Sequence, residues 1–234
     1  MTEYKDRYIN CYWCGNSATG KDHVPPQNLF PKGHRQDLMK VGACKTHNED
    51  FSKLDERLRY HMTLMGDAEI ARQHYEKKAL KGLRRPEGIG LTIDLASNRF
   101  TDYNGKNWQS DESTNFELYF EKIIRGLFYF HFGQHVNGST SFFSNKIQQI
   151  NMSANAHFYY HLLEDDLSYK WIEGNTKNKD IFDYKYYYSV LDNRFFTVMT
   201  FYKEHKIIGL TLPIGKTIDD YGLEYEDYIE KLKK

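Results

Sequence analysis

The sequence predicts an α+β protein, and three observations carry that expectation. Apolar residues recur at spacings of three and four over residues 48–85 and 114–133, the pattern of helices with one buried face. From Ile181 to Pro213 the chain is instead rich in Tyr, Phe, Ile and Val with period-two alternation, the pattern of antiparallel strands. The three cysteines, Cys11, Cys14 and Cys44, all fall in the first fifth of the chain, which marks that part as a separate, stapled unit.

In chain order, CYWCGN reads as a tight thiol-bearing turn, and GNSATGKDHVPP continues as loop with a short strand. A helix is expected from Asn48, with Phe51, Leu54, Leu58, Met62 and Met65 along one face. Asn48 suits its N-cap, and Glu49 and Asp50 suit its first turn. Gly66 interrupts it, and a second helix over GDAEIARQHYEKKALKGLRR ends at Gly82 or shortly before Pro86. Strand-like alternation follows from Gly88 to Trp108, with Asn104-Gly105 as a turn. A long helix is expected over TNFELYFEKIIRGLFYFHFG. Thr114 and Glu117 form its capping box, Phe116, Phe120, Ile123, Ile124, Leu127 and Phe128 its face, and Gly133 its close. The terminal strands turn at Asp192-Asn193 and over Lys203 to Lys206, and YEDYIEKLKK makes a short last helix. The boundary falls near Arg84 to Gly90, giving regions 1–86 and 87–234.

Composition narrows the class. With 19 Tyr and 15 Phe the chain can build a core rich in rings. No stretch approaches the ~18–20 apolar residues of a membrane span, and IIRGLFYFHFG carries Arg125. MTEYKDRYIN lacks the apolar run of a secretory leader, so a cytoplasmic protein is expected. The net charge is zero, which argues against strong whole-molecule attraction to nucleic acid. Residues 1–86 hold 16 Lys+Arg against 11 Asp+Glu, so the first region is mildly basic and the second mildly acidic.

Cys11 and Cys14 form C-x2-C, and Cys44 and His47 form C-x2-H. Zinc wants four soft or borderline ligands at tetrahedral corners, and a two-residue spacer lets one turn present two of them. Two such pairs closed by a loop are a common way for a small segment to fold on a metal. The competing readings are a redox C-x-x-C and three buried thiols. A redox pair leaves Cys44 and His47 at the same spacing unexplained, and its usual βαβ setting is absent. Structural zinc on Cys11, Cys14, Cys44 and His47 is therefore the expectation.

The run C-x2-C, ATGKDHVPPQNLFP, DLMKVGAC and C-x2-H-N with FSKLDE behind it resembles the HNH endonuclease family. It is similar to the branch whose ββα-metal motif is stapled by zinc, and the likeness covers about residues 9 to 60. The resemblance implies a metal-dependent endonuclease acting on DNA, with RNA left open, and products with 5′-phosphate and 3′-hydroxyl ends. By the same resemblance His23 is the general base, and Asp22 and Asn48 are catalytic ligands of Mg2+ or Mn2+. Asp37 stands at the middle position, where the family pattern shows Asn before Leu, as the residue orienting His23. His47 stands where cysteine is expected, and imidazole serves zinc equally. A role in bacterial defence against phage or mobile elements is a further implication.

These residue types suit that chemistry. A phosphodiester repels nucleophiles and has a poor leaving group. A histidine with a pKa near ~6.5 can take a proton from water at neutral pH. Oxygen ligands such as Asp22 and the Asn48 amide favour a hard cation. Pro25 and Pro26 restrict the chain just after His23. Asp55 and Glu56 resemble an acidic pair that often follows the motif, a solvated helix face explains them as well, and they are left outside the site; His34 with Lys32 and Arg35 reads as a polar loop. The pairs His131/His135 and His157/His161 read as core or surface histidines, and YKYYYSV as a half-buried strand. Residues 87–234 are expected to serve target choice, self-association or docking to a protein partner. The alternative function is a catalytically inactive zinc-stapled module that binds nucleic acid or protein, since zinc folding alone needs neither Asp22, His23 nor Asn48.

Overall fold

The computed structural model describes residues 5–64, 66, 68–90, 92–93, 99–101, 107–109, 116–144, 170–190, 194–218 and 220. Within them the chain is α+β. A two-stranded antiparallel hairpin comes first, with β1 (Gly20–His23) and β2 (Lys40–Ala43) in a register that sets Asp22 opposite Val41 and His23 opposite Lys40. Alternation along β1 buries Asp22 and leaves the His23 ring half-exposed on the other face of the ribbon. The connection carries a cis Val24–Pro25 bond and a 3₁₀ turn at Gln27–Leu29.

Helix α1 (Lys45–Leu64) follows directly. It starts three residues earlier than the sequence pattern indicates. The Cys44 carbonyl already accepts the Asn48 N–H at 3.0 Å, so Asn48 lies inside the first turn and does not cap it. Its buried face carries Phe51, Leu58 and Met62, as the periodicity predicts. The second helical stretch runs as α2 (Glu69–His74), a π-type segment (Tyr75–Ala79) and α3 (Leu80–Leu83). Strands β3 (Arg99–Thr101) and β4 (Asn107–Gln109) pair antiparallel.

Helix α4 (Phe116–Phe132) buries Tyr119, Phe120, Ile123, Ile124, Leu127 and Phe128. It stops at Gly133, which takes φ 65° while its N–H bonds the Tyr129 carbonyl at 2.9 Å, the expected glycine close. The main sheet is antiparallel, in the order β5 (Ser139–Ser144), β9 (His205–Leu212), β8 (Arg194–Phe201), β7 (Phe182–Ser189), β6 (Ile172–Glu173). The tyrosine run lies on β7, with Tyr184 and Tyr186 buried and Tyr187 and Tyr188 half-buried, as the alternation predicts. The turn between β8 and β9 is tighter than predicted, since strand structure resumes at His205. Tyr202 and Lys203 take its left-handed positions. Thr114, Asn104-Gly105, Asp192-Asn193, His157, His161 and the terminal YEDYIEKLKK lie outside the described residues.

Two close approaches place the functional region. A side chain at Gly209 would collide with Ile124, so β9 lies flush against α4. A side chain at Gly126 would meet Val24 at 2.6 Å, so the same helix presses on the residue after His23. One apolar cluster accordingly runs from Tyr12, Val24 and Leu58 through α4 to Phe195, Met199 and Ile207. The outer face of the sheet holds a second cluster around Phe196, Val198, Ile208 and Leu210. Among the described residues no helix is long and apolar enough to cross a membrane.

Candidate functional site

The four predicted soft ligands converge. Cys11 and Cys14 sit on the ends of a turn closed by the Gly15 N–H to the Cys11 carbonyl at 2.9 Å. Cys44 is the residue just before α1, and His47 lies three residues on, so one helical turn brings the two together. Nδ1 of His47 is 3.2 Å from Sγ of Cys44 and 3.6 Å from Sγ of Cys11, and the Cys14 and Cys44 sulfurs are 3.9 Å apart. All four ligand atoms lie within 4.8 Å of one another. A tetrahedron with Zn–S of about 2.3 Å and Zn–N of about 2.0 Å has edges of about 3.8 Å between sulfurs and about 3.5 Å from sulfur to nitrogen. The cluster can therefore hold a metal, and its donors and spacings are compatible with structural zinc.

Electrostatics agree with that use. Burial pushes the Cys11 thiol up, but the backbone N–H groups of Cys14, Cys44 and Trp13 outweigh it, and the group titrates at about 7. The ligand loop is also held from outside. His135 Nε2 bonds the Cys11 carbonyl at 2.9 Å, and the Arg125 guanidinium lies 5.2 Å from the Trp13 ring. Trp13 in turn packs against His47 and Phe51, at 5.9 and 5.1 Å between ring centres. His131 and His135 do not act as a pair. Gly133 ends the helix between them, and His131 Nε2 goes to the Tyr184 hydroxyl at 2.8 Å.

At the other end of the hairpin His23 stands at the strand terminus. Partial burial pushes its imidazole below the usual histidine value, and the charges of Lys40, Lys122 and Arg35 reinforce this against Asp22. That shift favours the neutral ring, the form that can accept a proton.

Asp22 points the other way and is 7% exposed. Its Oδ1 accepts the His23 backbone N–H at 2.8 Å, and its Oδ2 takes the Tyr12 hydroxyl at 3.3 Å and Nζ of Lys122 at 3.2 Å. Lys122, 1% exposed on α4, also meets both oxygens of Asp55 at 2.8 and 3.0 Å. Burial pushes the Asp55 carboxyl up to about 6 against the pull of Lys122. The carboxylate brought to Asp22 is therefore Asp55, one of the acidic pair that the sequence explained equally well as part of the motif or as a solvated helix face.

Asn48 is exposed in a shallow recess with Thr19, Gly20, Ala43, Lys45 and Glu49. That recess lies beside the start of β1, and Gly20 to His23 spans about 10 Å of strand. Asp37 has a φ of 52° and is exposed, and its carboxylate pairs with Lys177. Sequence reasoning also missed Asn28, whose Nδ2 donates to the Asp55 carbonyl at 2.6 Å and ties the loop after His23 to α1. Compared with family models, with curated proteins and with solved structures, the chain matches none.

Proposed function

We propose that this chain is an HNH-type endonuclease that hydrolyses phosphodiester bonds of DNA, with a zinc staple on Cys11, Cys14, Cys44 and His47 and His23 as the general base. The observation that carries the reading is the placement of His23: a half-exposed imidazole at the end of a hairpin that leads into the helix carrying His47 of the four-ligand cluster, with burial favouring its neutral form. His23 removes a proton from the attacking water, a contribution of about 10²–10⁴-fold in such steps. Lys40, directly across the ladder, and Arg35 bring positive charge to the same mouth, where a phosphodiester anion is attracted. The zinc holds the loop and the helix start together and takes no part in bond cleavage.

Mg2+ or Mn2+ on Asp22 and Asn48, which the resemblance implies, does not fit the residues as they stand. Both Asp22 oxygens are engaged by protein donors, one of them a buried ammonium, and Asn48 faces the recess beside Gly20. That observation favours a second reading, a zinc-stapled binding module without catalysis.

Plasmid DNA incubated with the zinc-loaded full chain, with and without Mg2+ or Mn2+, separates the two. Cleavage is expected to fall by about 10²-fold or more in His23→Ala, the usual scale for losing a general base. Native protein that cuts no better than His23→Ala under any of these conditions would leave the binding module standing.

A further inference from the structure

A lysine ammonium is retained in a protein interior where carboxylates answer it. Lys122 is such a case, on the α4 face that also buries Tyr119, Phe120, Ile123 and Ile124. Its ammonium donates to both oxygens of Asp55 and lies 3.2 Å from Oδ2 of Asp22, an ion pair. The Phe51 ring centre lies 5.1 Å from Nζ, at cation–π distance. Tyr12 donates to the same Asp22 oxygen. The fully buried Tyr119 hydroxyl, which has no hydrogen-bond partner among the described residues, feels the charge of both carboxylates. Two carboxylates and the Phe51 ring thus surround one positive charge, as a cation site does, and the cation is supplied by the chain.

We propose that Lys122 is a built-in cation that takes the place of a divalent metal at Asp22. Asp22 also joins Lys122 to the backbone of His23, which the proposed function reads as the base. The link is direct: the ammonium holds Oδ2 of Asp22, and Oδ1 of the same carboxylate holds the His23 N–H. Lys122 thereby fixes the end of β1 to α4 and, through Asp55, to α1. A divalent ion on Asp22 would share an oxygen with this ammonium and be repelled by it. Withdrawing Lys122 would strand its charge among apolar side chains, so displacement by metal is opposed from both sides. Without Lys122 the two carboxylates lack a counter-charge, and a divalent ion could supply it by holding both in their ionised form.

The test is Mn2+ binding to the zinc-loaded full chain, read from the loss of the free Mn2+ electron paramagnetic resonance signal. Wild type and Asp22→Asn are expected to give the same isotherm through the millimolar range. Lys122→Met is expected to bind Mn2+ about a hundredfold more tightly than wild type, because one repelling charge is gone. Adding Asp22→Asn to Lys122→Met should abolish that gain. One tight Mn2+ per wild-type chain that Asp22→Asn removes would overturn the proposal, and so would a folded Lys122→Met that gains no site. Should Lys122→Met fail to fold, the wild type and Asp22→Asn isotherms decide alone, coincidence supporting the proposal and divergence sinking it. None of these readouts uses DNA, so the nuclease reading stands or falls separately on His23→Ala cleavage.

Discussion

The two ends of the β1–β2 hairpin solve one problem in opposite ways. At one end four donors from Cys11, Cys14, Cys44 and His47 converge within 4.8 Å of one another, and three of the four are at least partly exposed. At the other end the carboxylates of Asp22 and Asp55 converge on Lys122, which is 1% exposed. The first centre asks for a metal from solution, and the second carries its own charge. The lesson lies in ligand chemistry. Thiolates gathered at this spacing have no side-chain cation that matches their geometry, whereas an ammonium with three protons can meet three carboxylate oxygens.

The largest expected effect separates the centres by their dependence on metal. Removing zinc with a chelator, or replacing Cys44 by Ser, should cost on the order of 5 kcal/mol or more and unfold the stapled loop. Metal analysis should give about one zinc per chain, and re-addition of zinc should restore the melting temperature of the chelated wild type. A folded, metal-free chain that melts where the untreated one does would erase the contrast. Next in size is Lys122→Met, which leaves two buried carboxylates unanswered and should cost about 3–5 kcal/mol. Adding Asp55→Asn should return part of that loss. This partial rescue is what an internal ion cluster predicts and a metal site does not.

How much of this was legible in the sequence follows from the distance over which each centre is encoded. The zinc cluster is written in two local spacings, each contained in a single turn, so Cys11, Cys14, Cys44 and His47 were readable directly. Even the misplaced helix start has that origin. The sequence shows a good cap residue at Asn48, but the C-x2-H pair needs the first helical turn to hold its ligands together, so the helix begins at Lys45. The Lys122 cluster joins residues 67 positions apart across two helices, and no local pattern records it. Lys122 beside Glu121 carries no spacing that points to Asp22, and Asp55 beside Glu56 suits a solvated face as well as the acidic pair of the resemblance. The long helix and the strands were legible because their apolar period is strong. The side of α4 that receives the hairpin was not, because Gly126 shows its purpose only once Val24 is against it.

Acid should act on groups outside both centres, which sharpens the comparison by isolating a third contribution. Burial holds His74 at about 4, with the charges of Arg59, Arg35 and Lys78 adding to it, while its Nδ1 meets the Tyr202 hydroxyl at 3.2 Å. The unfolded chain takes up that proton near 6.5 and the folded chain only near 4, so the unfolded state binds more protons between them. The stability this gives is present above about pH 6.5 and is lost as pH falls towards 4, by about 2 kcal/mol once solvent screening is allowed for. His131, held at about 4 by burial, works in the same direction. His74→Gln should flatten the melting temperature profile over this range, and an unchanged slope would assign the acid sensitivity to His131 and the thiolates instead, since the raised Asp55 carboxyl works in the opposite direction.

The smallest expected effect tests whether the metal centre is as independent of the rest of the fold as its local spacing suggests. His135 lies just past α4 and bonds the Cys11 carbonyl, so the helix that supplies the internal cation at one end is followed by the residue that braces the metal loop at the other. Replacing His135 by Phe keeps a ring against Gly15 and Tyr129 but removes the bond, at a cost of about 1 kcal/mol. Cys11 is a ligand of the proposed zinc, so that cost should appear as roughly fivefold easier loss of zinc to a competing chelator, with the global melt little changed while zinc is bound. Equal zinc retention in His135→Phe and wild type would mean that the two cysteine pairs hold their metal without help. A drop of the predicted size would make α4 and the loop after it the common frame of both ends of the hairpin.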